Sequence, residues 1–216
     1  MNIVRILEST AGTVASSLLE IGAIKLSYQK PFTWSSGWKS PIYCDNRLSL
    51  SYPDIRSSIK SFLSDAVKQN FSGAQTIAGV ATAGIAQGAL VAEALDLPFI
   101  YVRPKPKDHG MENLIEGKID KGKHVVLVED LISTGGSSLK AAEALRDAGF
   151  IVDGMVAIFT YGFDVAANSF EKANVPLVCL SDFEHLLPVA LRMNYIQQAD
   201  LEHVSAWRKD PSKWGA

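Results

Sequence analysis

From residue 76 onward the chain alternates short apolar runs with stretches of helical spacing, and that alternation admits few architectures. Thr76 to Ala81, Pro98 to Arg103, His124 to Asp130, Ile151 to Tyr161 and Pro176 to Leu180 are short and apolar on successive positions, as strands buried on both faces are. Gly84 to Leu95, Gly136 to Ala148 and Asp164 to Ala173 lie between them and read as crossover helices. Strands joined in this way form a parallel sheet, here expected to have five strands, with helices on both faces; the fold class is α/β. Such sheets place ligands beyond the carboxyl ends of their strands, so function should reside in the residues that follow each run.

The N-terminal third reads differently. Residues 3 to 26 carry Ile6, Leu7, Val14, Leu18 and Ile21 at helical spacing, which predicts a first helix. Residues 31 to 47 are dense in aromatics, Gly and Pro and predict a small lobe of strands and turns. Pro53 opens another helix, continued on one face by Ile55, Ile59, Phe62, Leu63 and Val67. Leu186 to Trp214 is expected to be helical and structural. The expected organisation is a single domain over 1–216, with a hood of about residues 1–50 plus parts of the C-terminus on a core of about 51–185.

Composition narrows the partners. A formal net charge of −2 argues against general binding to nucleic acid or a membrane surface, since either needs a broad positive excess. An anionic ligand must therefore be met by local groups. The first twenty residues, with Arg5 and Glu8, do not read as a secretory signal, and no apolar stretch is long enough to cross a bilayer. Cys44 and Cys179 lack companions at zinc-like spacing, so buried free thiols in a reducing compartment, the cytoplasm, are expected.

The most informative segment runs from His124 to Lys140. Four apolar residues, Val125 to Val128, lead into Glu129 and Asp130, then Leu131 and Ile132, then Ser133, Thr134, Gly135, Gly136, Ser137 and Ser138, and then a helix. Free N–H groups and the helix dipole at such a turn attract a dianionic phosphate. Gly135 and Gly136 let the backbone approach, and Thr134, Ser137 and Ser138 offer hydroxyls. Two carboxylates beside a phosphate nest would repel the ligand unless something separates them. A sugar phosphate does this, its ribose hydroxyls donating to Glu129 and Asp130 while its phosphate sits in the turn. Two acids alone would more often be a solvated strand end; the continuous order of strand, acid pair, hydroxyl-glycine turn and helix is not so explained.

This segment resembles the phosphoribosyl-diphosphate signature of the type I phosphoribosyltransferases over Val125 to Ser137. It has neither the Gly-Lys-Ser/Thr of a Walker loop nor dinucleotide-type glycine spacing. The resemblance implies a parallel sheet under a small hood, 5-phosphoribosyl 1-diphosphate bound by Glu129 through Ser137, and Mg2+ held mainly by substrate and water near Glu129 and Asp130 rather than by a protein cage. Val80 to Ala86 resembles the diphosphate-side turn of the same enzymes, with Thr82, Ala83 and Gly84 at its centre.

Residues 103 to 117 gather Arg103, Lys105, Lys107 and His109, a run that is often only a solvated connector. Arg103, Lys107, Asp108, His109 and Gly110 match the mobile catalytic loop of the orotate-specific branch, and Phe32-Thr33, Ser36-Gly37 and Lys39-Ser40-Pro41 resemble its hood. That resemblance implies Lys107, His109, Arg103 and Asp130 as catalytic residues, Ser133 as an orotate contact, and a homodimer with the loop shared across the interface. It departs from many relatives at Pro104 and from some at Ala83 and Ser35, where they carry lysine, and around Phe159 to Gly162, which lacks the orotate-contacting arginine of some relatives. Two alternatives stay open: transfer to another base, and a non-enzymatic regulator that senses the same diphosphate.

Overall fold

The computed structural model describes residues 3–27, 29–34, 37–105, 114–211 and 214. Five strands match the apolar runs: β6 (Thr76–Val80), β7 (Phe99–Val102), β9 (His124–Ile132), β10 (Ile151–Thr160) and β11 (Leu177–Asp182). Two more extend the sheet to seven, in the order β1-β11-β10-β9-β6-β7-β8. β1 (Val4–Ile6) is parallel to β11, and β8 (Ile115–Glu116) is antiparallel to β7. Among the described residues the expected five-stranded sheet is thus a seven-stranded one. Its two extra strands are only three and two residues long, too short to show a period.

β1 also corrects the helix expected over residues 3 to 26, which is confined to α1 (Glu8–Glu20) and followed by β2 (Ile24–Leu26). Ile6 and Leu7 fall in phase with the helix, but Val4, Arg5 and Ile6 pair with Leu177, Val178 and Cys179. A pairing so distant in sequence overrides the local period.

The alternation of side chains in the central strands divides the core in two. Val126, Val128, Val156, Ile158, Val178 and Leu180 face one layer, with Leu18 of α1, Leu63 of α2 (Pro53–Asn70), Val91 of α3 (Gly84–Leu95) and Val189 of α6 (Phe183–Arg192). Val125, Leu127, Met155, Ala157, Leu177 and Cys179 face the other, with Leu145 of α4 (Gly136–Asp147) and Phe170 of α5 (Asp164–Lys172). Each Val, Leu, Ile, Phe or Met side chain among these contributes roughly 1.5–3 kcal/mol when removed from water, so helices are needed on both faces. The crossover helices begin where the sequence places them, at Gly84, Gly136 and Asp164.

The small lobe consists of two antiparallel pairs. β2 pairs with β5 (Ile42–Cys44), and β3 (Phe32–Thr33) with β4 (Lys39–Ser40). Ile24 and Ile42 are fully buried in the first core layer, which roots the lobe in the main domain. A 3-10 turn, Asn46–Ser51, then leads into α2, where Pro53 fills the first-turn position that needs no N–H. The C-terminal stretch is helical in two pieces, α6 and α7 (Leu201–Lys209).

Candidate active site

The acid pair lies within β9, not beyond it. β9 pairs with β10 as far as Ile132↔Thr160, whereas its pairing with β6 stops at Gly79↔Val128. From Glu129 to Ile132 the strand therefore has a sheet neighbour on one side only, and the small lobe closes over this open end. On the other side the chain leaves β6 through Ala81, Thr82 and Ala83 into α3, with a cis peptide between Ala81 and Thr82. A Cβ at Gly84 would overlap the Val128 carbonyl oxygen and stand 3.4 Å from Glu129 Cα. Glycine there is what lets the turn at Thr82 to Gly84 reach the acid-bearing strand.

The two carboxylates have different surroundings. Glu129 is buried, and its oxygens accept from Ser138 Oγ at 3.0 Å and from the Asp130 N–H at 3.0 Å. Burial raises its pKa well above the ordinary glutamate range, and the neighbouring Asp130 charge adds to the rise. Asp130 is partly exposed. Burial raises its pKa too, against the opposing effects of hydrogen bonding and of the Arg47 guanidinium. Arg47 is itself held by Asp45, with Nε at 2.6 Å and Nη2 at 2.9 Å from the two carboxylate oxygens.

The turn after β9 leads directly into α4. Gly135 caps α4 with φ of 81°, and a Cβ there would meet the Phe170 ring at 2.7 Å. No side chain caps the helix, so its first N–H groups keep their capacity to donate. Thr134, Gly136 and Ser137 are exposed. Ser138 is a correction: its hydroxyl, expected to be offered to a phosphate, is buried and turned inward to Glu129. Leu131 and Ser133 are partly buried, and Ile132 is fully buried in the second core layer.

Ser133 and Thr134 also line a cavity of about 610 Å³ whose other walls include Trp34, Trp38, Tyr43, Cys44 and Tyr161. The sequence marks these residues only as part of an aromatic-rich lobe and the end of an apolar run. Tyr161 follows β10 and packs against Trp34 of the lobe, with ring centroids 5.1 Å apart and the planes tilted by 31°, so strand end and lobe are in contact. Burial pushes the Tyr161 phenol and the Cys44 thiol well up, so both walls are neutral. Lys39 Nζ donates to Thr33 Oγ1 at 2.8 Å, and Thr33 lines the same cavity.

Arg103 continues from β7, its N–H bonded to the Leu114 carbonyl at 2.7 Å and its guanidinium 3.6 Å from Glu116. With Val80 of β6, Ala81 of the turn and Gly136 and Ser137 at the start of α4 it lines a second cleft, of about 820 Å³. Lys107, Asp108, His109 and Gly110 lie outside the described residues. Thr82 is exposed, Ala83 partly buried and Gly84 buried.

One strand end thus carries an acid pair, a glycine turn at the start of a helix, a close-packed turn and an aromatic chamber. A family model described as phosphoribosyl transferase domain matches residues 51–182, and the relatives are more specific. The orotate phosphoribosyltransferase of Bacteroides fragilis is 59% identical over 200 residues, covering 93% of this chain and 94% of that protein. This chain belongs to the orotate phosphoribosyltransferase family. The enzyme of that name from Cytophaga hutchinsonii is 55% identical over 93% of this chain and 96% of its own length. The crystal structure of orotate phosphoribosyltransferase from Aeropyrum pernix superposes with a TM-score of 0.73 at 29% identity, over 85% of this chain and 99% of that one.

Among the described residues no group of three His, Cys, Asp or Glu side chains is arranged to hold a metal. Glu129 already spends both carboxylate oxygens on internal bonds. Asp130, partly exposed at the strand end, presents the other carboxylate of the pair. One carboxylate with substrate oxygens and water suits a hard cation such as Mg2+, which keeps much of its hydration.

Proposed function

We infer that this chain transfers ribose 5-phosphate from 5-phosphoribosyl 1-diphosphate to orotate, giving orotidine 5′-phosphate and diphosphate in de novo pyrimidine (UMP) biosynthesis. The observation that carries the reading is that Ser133 and Thr134 belong at once to the phosphate nest and to the wall of the aromatic cavity. A sugar phosphate in the nest has its anomeric carbon directed to the space in which a flat base fits.

The nest accepts the 5-phosphate through main-chain N–H groups from Thr134 to Ser137, assisted by the dipole of α4. Asp130 holds the ribose hydroxyls. Glu129, fixed from below by Ser138, orients Asp130 through its bond to the Asp130 N–H. Thr82, Ala83 and Gly84 hold the diphosphate side. Orotate lies in the aromatic cavity, with its ring packed against the neutral aromatic walls, Ser133 as a polar contact and Lys39 at the rim to meet its carboxylate. Departure of diphosphate leaves positive charge near the anomeric carbon, which the acid pair favours and the closed cavity shields from water. Magnesium, when bound, supplies charge neutralisation at the leaving diphosphate, and Asp130 is the side chain that would hold it.

Arg103, Lys107 and His109 complete the account as cations for the departing diphosphate, on a loop over 103–117 shared across a homodimer in the cytoplasm. The chain then works as a single domain, a hood of about 1–50 plus parts of the C-terminus over a core of about 51–185. β1 is topologically part of the core sheet, although its residues fall in the hood range. No helix among the described residues is long and apolar enough to cross a membrane.

The test is spectroscopic. With donor and magnesium present, ultraviolet absorbance should follow the consumption of orotate and not that of a purine; turnover of a purine alone, or of neither, contradicts the reading. Lys107→Ala should slow turnover by roughly 10²–10³-fold. Mixing it with Asp130→Asn should restore partial activity if the loop crosses between subunits, and none if it does not.

A further inference from the structure

The acid-bearing end of β9, the small lobe and α3 are separate in sequence, and one buried polar chain ties them together. At its centre is Asn46, 1% exposed, in the 3-10 turn that leads from the lobe to α2. Its Nδ2 donates to the main-chain carbonyl of Asp130 at 2.6 Å. Its Oδ1 accepts from the Cys44 thiol at 3.1 Å, and Cys44 lines the aromatic cavity. The orientation of the amide is chemically determined, because a carbonyl can only accept and so must face the NH2 group. The thiol, kept protonated by burial, is then the donor to the amide oxygen.

The chain continues on the other side. The Ser49 hydroxyl, fully buried, donates to the main-chain carbonyl of Asn46 at 2.6 Å and accepts from Gln87 Nε2 at 3.2 Å. Gln87 is 1% exposed and lies one turn along α3 from Gly84, the residue that abuts Val128 and Glu129. Its Oε1 is buried without a hydrogen-bond partner. Burying three polar side chains at this joint has a cost in desolvation that apolar residues of equal size would avoid. The joint lies where β9 has lost its β6 neighbour, so Asn46 supplies a lateral hold that the sheet no longer provides.

We propose that Asn46 is a positioning residue for the transfer reaction, fixing Asp130 relative to the aromatic cavity and the diphosphate-side helix. The proposal rests on the reading that Asp130 holds the donor's ribose. Asn46 touches neither substrate; it acts on Asp130 through the main chain, and Asp130 cannot shift along its strand while that bond persists. Loss of the bond should therefore be felt by the donor more than by the acceptor.

Purified Asn46→Ala and Asp130→Asn are assayed beside the wild type in the forward reaction, with donor and orotate varied in turn and melting temperatures recorded. For Asn46→Ala the donor KM should rise about tenfold while the orotate KM stays within about twofold. A merely structural role would lower the melting temperature and the fraction of active protein without that split. Asn46→Asp, equal in volume but unable to donate when ionised, should show the same split. Should neither Asn46 variant fold, Ser49→Ala decides: a donor KM raised about threefold supports the proposal and an unchanged one overturns it. A donor KM that rises in Asp130→Asn but not in the Asn46 variants overturns the positioning role alone. A donor KM that rises in neither overturns the ribose assignment with it.

Discussion

Ser138 Oγ donates to Glu129 Oε2 across 3.0 Å, joining the first turn of α4 to the buried member of the acid pair. Without that hydroxyl one oxygen of a buried carboxylate has no partner. Ser138→Ala should destabilise the fold by about 1–3 kcal/mol. Chemical denaturation of the two proteins measures this, and equal midpoints would show that Glu129 is indifferent to its partner.

Glu129 also gives a pH dependence. Its pKa in the fold is raised well above the usual 4.5, first by burial and then by Asp130, so folding favours the acid form. Its contribution to stability is full below the unfolded value and is lost as pH rises through the folded one. Glu129→Gln carries no charge, so its melting temperature relative to wild type should climb as pH rises above the ordinary glutamate range and level off once the folded pKa is passed. A pH-independent difference would contradict the burial of an ionisable group there.

His185 behaves in the opposite chemical sense. Burial alone would lower its pKa, but Asp182 at 2.7 Å and Glu8 at 2.9 Å outweigh it, and the pKa rises above the usual 6.5. The stabilising charge is complete below that value and is lost as pH rises through the folded pKa. His185→Gln should be less stable than wild type in mildly acid buffer, with the gap closing in alkaline buffer. Thermal melts across pH test this, and a constant gap counts against the triad.

Gly84→Ala tests the close approach of the diphosphate-side turn. The added methyl has no free space, since it would overlap the Val128 carbonyl. Overpacking of this kind costs about 1–3 kcal/mol, and the displaced turn should also raise the donor KM. Calorimetry and steady-state kinetics together measure it; a variant normal in both would mean that β9 and α3 are not in contact.

Trp207 should matter to a site it does not line. It is fully buried in α7, with its ring 5.7 Å from Trp34 and 5.4 Å from Tyr161, two walls of the aromatic cavity. Trp207→Ala should cost about 3–5 kcal/mol and, in the folded fraction, raise the orotate KM more than the donor KM. Equal changes in both would place the cavity elsewhere.

What the sequence made legible follows from how local each signal is. The crossover helices are visible because Gly84, Gly136 and Asp164 punctuate runs whose period is intact. The nest is visible because strand, acids, glycines and helix are contiguous. β9 runs past its apolar segment because main-chain pairing with β10 continues through Leu131↔Phe159 whatever the side chains are. β1 is invisible because three residues carry no period and their partner lies more than 170 positions away. The inward turn of the Ser138 hydroxyl depends on which face of α4 meets β9, which the run of hydroxyl residues does not reveal. Asn46 is one polar residue in a polar stretch, and only the docking of its turn against Asp130, 84 positions on, gives it meaning. The cavity has the same origin, since Trp34 and Tyr43 of the lobe meet Tyr161 more than 100 positions further along the chain.

The measurement that bears most directly on the account is a crystal structure of the protein with orotidine 5′-phosphate. The phosphate should be held by the main-chain N–H groups from Thr134 to Ser137, the ribose by Asp130, and the pyrimidine within the cavity lined by Trp34, Tyr43 and Tyr161. A phosphate bound away from that turn, or a base lying outside the cavity while the nest is filled, would contradict it.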